Sequence, residues 1–243
     1  FSSRRRHTRF RNVTGVQTCA LPIWNDLVLK QKLRKLGTLF KDANIRVTTH
    51  PGQFCIINSD SEHVIKNSIA ELEYHAWIFD QMGFDLTTHY AINIHGGKRG
   101  NSEKLIRTIL SLPDNVKNRL TLENDERCFS VSQLLEINSK TNVPIVFDSH
   151  HHQFNMDGLS TEDAFCAALK TWKNTKPLQH LSNTEPGLEN GSFTDKRKHS
   201  NFIHYIPGCQ QNAVTKDEID LDVEAKMKNL AVLKMRNDFN IVL

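Results

Sequence analysis

Tyr90-Ala-Ile-Asn-Ile-His95 and Leu120-Thr-Leu-Glu123 are two short β-like runs, each ending on a residue that can bind a metal. Four more runs end the same way: Ile45-Arg-Val-Thr-Thr-His50, Pro144-Ile-Val-Phe-Asp148, Pro177-Leu-Gln-His180 and Ile219-Asp-Leu-Asp-Val-Glu224. Amphipathic, helix-like stretches fill most of the gaps between them. Alternation of strand and helix is the pattern of a parallel α/β fold. The expected architecture is a (β/α)8 TIM barrel, in which the C-terminal ends of all strands converge on one mouth. Three histidines and three carboxylates would then face one another across a single cavity. That arrangement points to a polynuclear metal site and a hydrolase.

Helix signals support the alternation. Ser59-x-x-Glu62 reads as a capping box, in which a hydroxyl and a carboxylate satisfy free backbone amides. Ile65, Ile69, Leu72, Ala76 and Phe79 follow at helical spacing, and Gly83 suits the left-handed end of that helix. Ser160-x-x-Asp163 opens another helix, expected to end near Trp172. Asn25 to about Asp42 precedes the first run as a helix, and Lys226 to about Phe239 follows the last. Counted against an eight-stranded barrel, six runs leave the first two β/α units missing.

Residues 1–23 read differently from the rest. The stretch has no acidic residue, no apolar periodicity and no helix cap, and it resembles a translated sequencing adapter joined to a gene fragment. A basic targeting arm is the rival reading. The expected division is therefore a non-native tail at 1–23 and a partial barrel at 24–243. Five of the 31 basic residues (Arg4, Arg5, Arg6, Arg9, Arg11) lie in the tail, leaving 26 against 27 acidic ones. The formal charge of +4 is thus no sign of nucleic-acid binding. Only local clusters remain, Lys98-Arg99 in a Gly-rich loop and Lys196-Arg197-Lys198. Cys19, Cys55, Cys128, Cys166 and Cys209 are scattered and form no C-x-x-C pair, which argues against a zinc ribbon or a disulfide framework. No apolar run is long enough for a membrane span.

Each candidate ligand carries an ordinary alternative. His50 begins H-P-G-Q-F, where proline stops a ladder and Gly52 permits a sharp turn, but a strand-end histidine can be purely structural. His95 heads H-G-G-K-R-G, either a loop that lets backbone approach a phosphate or a plain turn. Glu123 ends an apolar run, a place where an acid is seldom buried without a partner. Asp148 and His151 form D-x-x-H, with His150 and His152 leaving the choice of histidine open by one position. His180 ends an apolar run, His199 follows three basic residues, and Glu224 has Asp220 and Asp222 as rivals one alternation away. Mixed imidazole and carboxylate donors suit Zn²⁺ or Mn²⁺, and eight candidates are too many for one tetrahedral ion.

H-P-G-Q-F, His95, L-E-N-D, D-x-x-H, H-L-S at His180, H-S-N-F-I at His199 and E-A-K at Glu224 together resemble the UV-damage endonuclease family. The endonuclease IV type of apurinic endonuclease, also a metal-dependent barrel, is related to it. The resemblance covers nearly all of Asn25 to about Phe239. It implies that His50, His95 and Glu123 hold one ion. Glu123 would bridge to a second, completed by Asp148, His180 and Glu224, with His151 and His199 serving a third. Glu123, His95 and Glu224 would be the catalytic groups. Gln53 and Phe54 match a pair that the family wedges into the duplex at the lesion, and Lys98, Arg99 and Lys198 are candidate DNA contacts. The family has Tyr where Phe54 stands, and a carboxylated lysine where Leu178 stands, with Lys176 two residues too early.

The expected cofactors are two or three divalent ions, Mn²⁺ or Zn²⁺. The expected partner is duplex DNA with UV lesions, bound by a monomer in a bacterial cytoplasm, at the nucleoid. The expected reaction is a nick on the 5′ side of a photoproduct. Rival readings are an apurinic endonuclease, a xylose-isomerase-like sugar isomerase, and a barrel fragment with vestigial ligands.

Overall fold

The computed structural model describes residues 24–241; the reading of 1–23 as a tail lies outside them. Five short strands form one parallel sheet in sequence order: β1 (Ile92–His95), β2 (Leu120–Glu123), β3 (Ile145–Asp148), β4 (Leu178–Leu181) and β5 (Asp220–Val223). Between them run α3 (Ser102–Ser111), α4 (Asp114–Lys117), α5 (Val131–Thr141), α6 (Ser149–His152), α7 (Thr161–Leu169), α8 (Phe193–Lys196) and α9 (Gly208–Thr215). Two helices, α1 (Leu27–Asp42) and α2 (Glu62–Met82), precede the sheet, and α10 (Asn229–Asp238) follows it. Among the described residues, no helix is long and apolar enough to cross a membrane.

Side-chain alternation divides the sheet into two faces. Ile92, Ile94, Leu120, Leu122, Ile145, Phe147 and Leu181 point to the helices and build the main core. The other face carries Asn93, His95, Thr121, Glu123, Asp148 and His180, because successive strand residues face opposite ways. This inner face is strongly curved. Neighbouring strands lie ~4.8 Å apart, so a flat sheet would separate its first and sixth members by roughly 24 Å. Yet Arg46 Nη1, on the segment before β1, lies 2.8 Å from Asp220 Oδ2 on β5. The same guanidinium donates to the carbonyls of Thr88, His89 and Lys176, pinning both ends of the sheet at its floor.

Several local expectations are corrected. The run Ile45–His50 is not a full strand but one parallel rung, Thr49 to Ile92. Ile45 N–H donates to Phe40 O at the end of α1, and Pro51 brings no N–H to continue a ladder. Tyr90 belongs to a 3₁₀ turn, Thr88–Tyr90, rather than to β1. The helix cap at Ser59 does not form: α2 is preceded by Ser61, whose N–H donates to Ser59 Oγ at 3.2 Å. Its other end follows the sequence, with Gly83 left-handed at φ 74°. Ser160 caps α7 through Asp163 N–H at 3.1 Å. That helix ends at Leu169, and Trp172 turns inward to donate from Nε1 to Ile145 O at 2.8 Å. In the H-G-G-K-R-G loop Gly96 and Gly97 serve packing. A Cβ on Gly97 would meet Asn58 Oδ1 at 2.3 Å, and one on Gly96 would meet the Phe129 ring at 2.5 Å. The Lys98 N–H there is already committed to Asn58 Oδ1 at 2.8 Å.

Immediately before β2, Arg119 is fully buried and sets where that strand begins. Its guanidinium reaches Asp80 Oδ1 at 2.6 Å and Phe84 O at 2.7 Å, and also the Asp85 and Ala76 carbonyls. Removing the guanidinium from such a network costs about 3–5 kcal/mol, because the Phe84 and Ala76 carbonyls lose their buried donor and Asp80, still bonded to Asn115, loses its cation. Arg119→Ala is expected to lower unfolding stability on that scale, read from urea denaturation midpoints; a loss within ~0.5 kcal/mol, as for an ordinary surface change, would contradict the assignment.

Candidate metal centre

At the C-terminal end of the sheet, strand pairing sets the candidate ligands side by side. His95 pairs with Glu123 across β1–β2, Asp148 with His180 across β3–β4, and His180 with Asp222 across β4–β5. Glu123 has no exposed surface and sits at the centre. Its Oε2 lies 3.1 Å from His50 Nε2 and 3.1 Å from His180 Nδ1, and its Oε1 lies 3.3 Å from His151 Nδ1. Two sets of donor atoms fall within 4.8 Å of one another: His50, Glu123, His180 and Glu224, and His95, Glu123 and His151. Glu123 belongs to both. Among the sequence candidates, His50 and His151 thus fall in groups other than those the resemblance implies.

The remaining candidates flank these sets. His199 Nδ1 lies 3.6 Å from Glu224 Oε2, brought there by an antiparallel bridge from His199 to Thr184. Asp148 Oδ2 is 3.9 Å from His151 Nδ1. Of the rivals to Glu224, Asp220 is taken by Arg46 and Lys176, and Asp222 lies 3.8 Å from His180 Nε2. The single turn of α6 sends three consecutive histidines to three places. His151 turns to Glu123, His150 is buried against Phe154 and His199, and His152 faces the Leu159 carbonyl.

Neighbouring amides hold the ligands in place, and sequence reading missed them. Asn93 donates to Glu123 Oε2 at 2.5 Å and is itself oriented by the Thr121 hydroxyl, which donates to Asn93 Oδ1 at 2.9 Å. Each stands two residues before a ligand on its own strand, so alternation places it on the same face. Asn124, the third residue of L-E-N-D, accepts from Asp148 N–H and donates to Asp148 O, both at 2.9 Å. That pair of bonds extends the β2–β3 ladder past the strand ends. Asp125 then accepts from the Arg127, Cys128 and Phe129 amides and shapes the following loop. At His50, an Nδ1–H bond to Pro51 O at 3.0 Å turns Nε2 toward Glu123.

The charges are strongly linked. Burial alone would raise the Glu123 carboxyl, but His180 and His95 outweigh it and hold the group well below the usual range. Burial works against charging His180 too, yet Glu123 and Glu224 lift it well above the usual value. Against the same burial, Asp148 and Glu123 push His151 up to about 10. His50 is raised despite burial by Glu123, whereas burial dominates at His95 and lowers it. Glu224, opposed by burial but paired with His180 at 3.2 Å, falls to about 2. The carboxylates therefore attract positive charge, and protons fill that role when no other cation does.

Donor chemistry and geometry fit divalent ions. Glu123 Oε1, Asp148 Oδ2, His95 Nδ1 and His180 Nδ1 are buried without a hydrogen-bond partner, though Glu123 Oε1 and His180 Nδ1 approach within 3.3 Å of a potential one. Close donors whose lone pairs miss one another suit a shared ion better than a hydrogen bond. Leu178, where the resemblance implies a lysine, packs with Ala91, Val146 and Trp172 beneath the candidate ligands. Lys176 instead pairs with Asp217 and Asp220. Gln53 is exposed and Phe54 is 79% exposed on the loop after His50. Lys98 is tied to Asp60 and Lys198 to Asp195, while Arg99 donates to the Arg127 carbonyl.

A family model described as UV-endonuclease UvdE matches residues 19–242. The chain belongs to that family. It is 40% identical over 212 residues to a UV DNA damage endonuclease from Nostoc sp., an alignment covering 84% of this chain and 62% of the relative. The chain therefore spans somewhat under two thirds of that protein's length. The crystal structure of SacUVDE matches with a TM-score of 0.74 and 31% identity, over 89% of this chain and 73% of that one. A D-psicose 3-epimerase from Clostridium cellulolyticum H10 matches at TM-score 0.56 and 12% identity, covering 85% and 72%, a likeness of fold alone. Both structural matches accord with a sheet curled as part of a barrel.

The linked charges make metal-free stability fall on the alkaline side. Groups raised in the folded state (His50, His151, His180) contribute stability that is complete below the ordinary histidine value and is lost as pH rises through the folded one, about 10 for His151. The lowered histidines are neutral in both states by then. Chelator-treated protein is expected to melt lower at pH 9 than at pH 7, and saturating Mn²⁺ to stabilise it more at pH 9. Equal metal-free melting temperatures at the two pH values would overturn this reading.

Proposed function

We propose that the protein is a metal-dependent DNA repair endonuclease that nicks the phosphodiester on the 5′ side of UV photoproducts. The observation that carries the reading is Glu123, shared by two ligand sets at one mouth in a chain of the UV-endonuclease family. His50, His95, Glu123, Asp148, His151, His180, His199 and Glu224 would hold two or three ions, Mn²⁺ or Zn²⁺. When bound, such ions supply an acidified water, with its pKa brought toward ~7, and countercharge for the phosphoryl transition state. The chain's own groups orient that chemistry. Asn93 fixes the Glu123 carboxylate, Asn124 ties the Asp148 strand end to β2, and Pro51 O sets the His50 tautomer. The buried Leu178 layer keeps water from beneath. Gln53 and Phe54 stand exposed where a duplex would approach, suited to fill the space left by an unstacked lesion. Incubating the protein with irradiated, untreated and abasic duplexes, with and without chelator, tests the proposal. Metal-dependent nicking confined to irradiated duplex is expected; cleavage of abasic sites alone, or nicking that survives chelation, would sink it.

Glu123→Gln should abolish nicking and lower bound metal by more than one equivalent, because one residue serves both donor sets. Elemental analysis finding unchanged metal in an active variant would remove Glu123 from its central role. Replacing both Gln53 and Phe54 by Ala should weaken binding to damaged duplex while sparing metal content. Aromatic stacking on bases is worth about 1–3 kcal/mol per base, so the expected loss is roughly tenfold to a hundredfold. Undiminished discrimination between damaged and intact DNA would rule out the wedge.

A further inference from the structure

Three loops at the ligand end of the sheet bring arginines together around one phenylalanine. Phe193 opens α8 after β4 and is 40% exposed. The Arg127 guanidinium, from the loop after β2, lies 4.9 Å from its ring centroid, and that of Arg197 lies 5.5 Å away. Phe154, from the loop after β3, meets the same ring edge-on at 5.5 Å. A capping box between Ser192 and Asp195 fixes the turn that carries Phe193. Arg99, from the loop after β1, donates to the Arg127 carbonyl.

This cluster is under-neutralised. Among the described residues, Arg197 pairs with Glu126, whereas neither Arg99 nor Arg127 has a carboxylate partner. Three cations thus share one acid, whereas Lys98 and Lys198, the more obvious basic residues in the sequence, are each bound to an aspartate. Glu126 also reaches toward the candidate metal centre, with Oε2 3.9 Å from His151 Nε2. The cluster is therefore next to the ligands, not on a remote face. With two guanidiniums and Phe154 already against it, Phe193 is placed to hold arginines rather than to receive a base. Stacking on an aromatic ring leaves the planar N–H edges of a guanidinium free, and those edges match the oxygens of a phosphate. A guanidinium donates only, so the complementary ligand is an anion.

We propose that Arg127 and Arg197, held against Phe193 with Arg99 beside them, form a phosphodiester-binding site that grips a non-reacting phosphate of the bound DNA strand. The proposal rests on the endonuclease reading and adds Arg127 and Arg197, which that reading does not contain, to Arg99, already a candidate DNA contact. The site lies on the loops after β1, β2 and β4, whereas Gln53-Phe54 lies on the loop before β1. The duplex is therefore held at two separate places on the rim.

Equilibrium binding of unirradiated duplex across a salt series tests it, with Arg127→Gln, Arg127→Lys, the double Arg99→Gln/Arg127→Gln, and Lys140→Gln as a charge control on α5. Each phosphate contact contributes about one unit to the slope of log affinity against log salt. Arg127→Gln should reduce the slope by about one and the double variant by about two, with metal content and melting temperature unchanged. Arg127→Lys should keep the slope while losing part of the affinity, since charge remains and the fork does not. Lys140→Gln should leave the slope as it is. Should the parent bind duplex with a steep slope that Arg127→Gln leaves intact, the rim proposal falls and the endonuclease reading stands. A parent with no salt-dependent duplex binding would overturn both.

Discussion

A carboxylate with no exposed surface is the constraint around which the rest of the structure is arranged. Burying an isolated charge is prohibitively costly, and it persists only when paired and hydrogen-bonded. Glu123 meets that demand with Asn93, His50, His151 and His180, each from a different place in the chain. Those partners can converge only because the sheet curls. They stay aligned because Thr121 and Asn124 hold the neighbouring groups. Arg119 supports the same strand from its other end, buried among carbonyls of the preceding helix and turn. Curvature, alternation and the hydrogen bonds around β2 thus answer a single electrostatic requirement.

Much of this was legible in sequence because strand periodicity is simple. Metal-binding residue types at the ends of apolar runs singled out His95, Glu123, Asp148 and His180 as candidates, and a parallel fold then required their ends to gather. Less was legible where two explanations share one pattern. Ser59 and Ser61 both precede Glu62, and only backbone geometry chooses between them. Glycines after His95 can admit a ligand or a neighbour, and here Asn58 and Phe129 fill the space. Asn93 and Thr121 lay on the readable inner face but passed as ordinary strand residues. Arg127 had no periodic signal, since its significance depends on a ring 66 positions later in a different loop.

An apolar residue at Leu178, where the resemblance implies a lysine, has a local explanation. In this chain the layer below the ligands is apolar, with Ala91, Val146, Trp172 and Leu178 packed together. A charged side chain would need a partner there, and the nearby acid, Asp220, is already shared by Arg46 and Lys176. The floor is thus divided into a dry layer beneath the ligands and an ionic layer below that, with charge kept out of the space between.

The ionic layer has a mechanical meaning. Arg46 ties the segment before β1 to β5 across the inner face, so the two flanks of the curled sheet are joined at the floor by one side chain. That one pin fixes the separation of the two flanks, and so it carries His50 from one side and Glu224 from the other to the same mouth, where both fall in one donor set with Glu123.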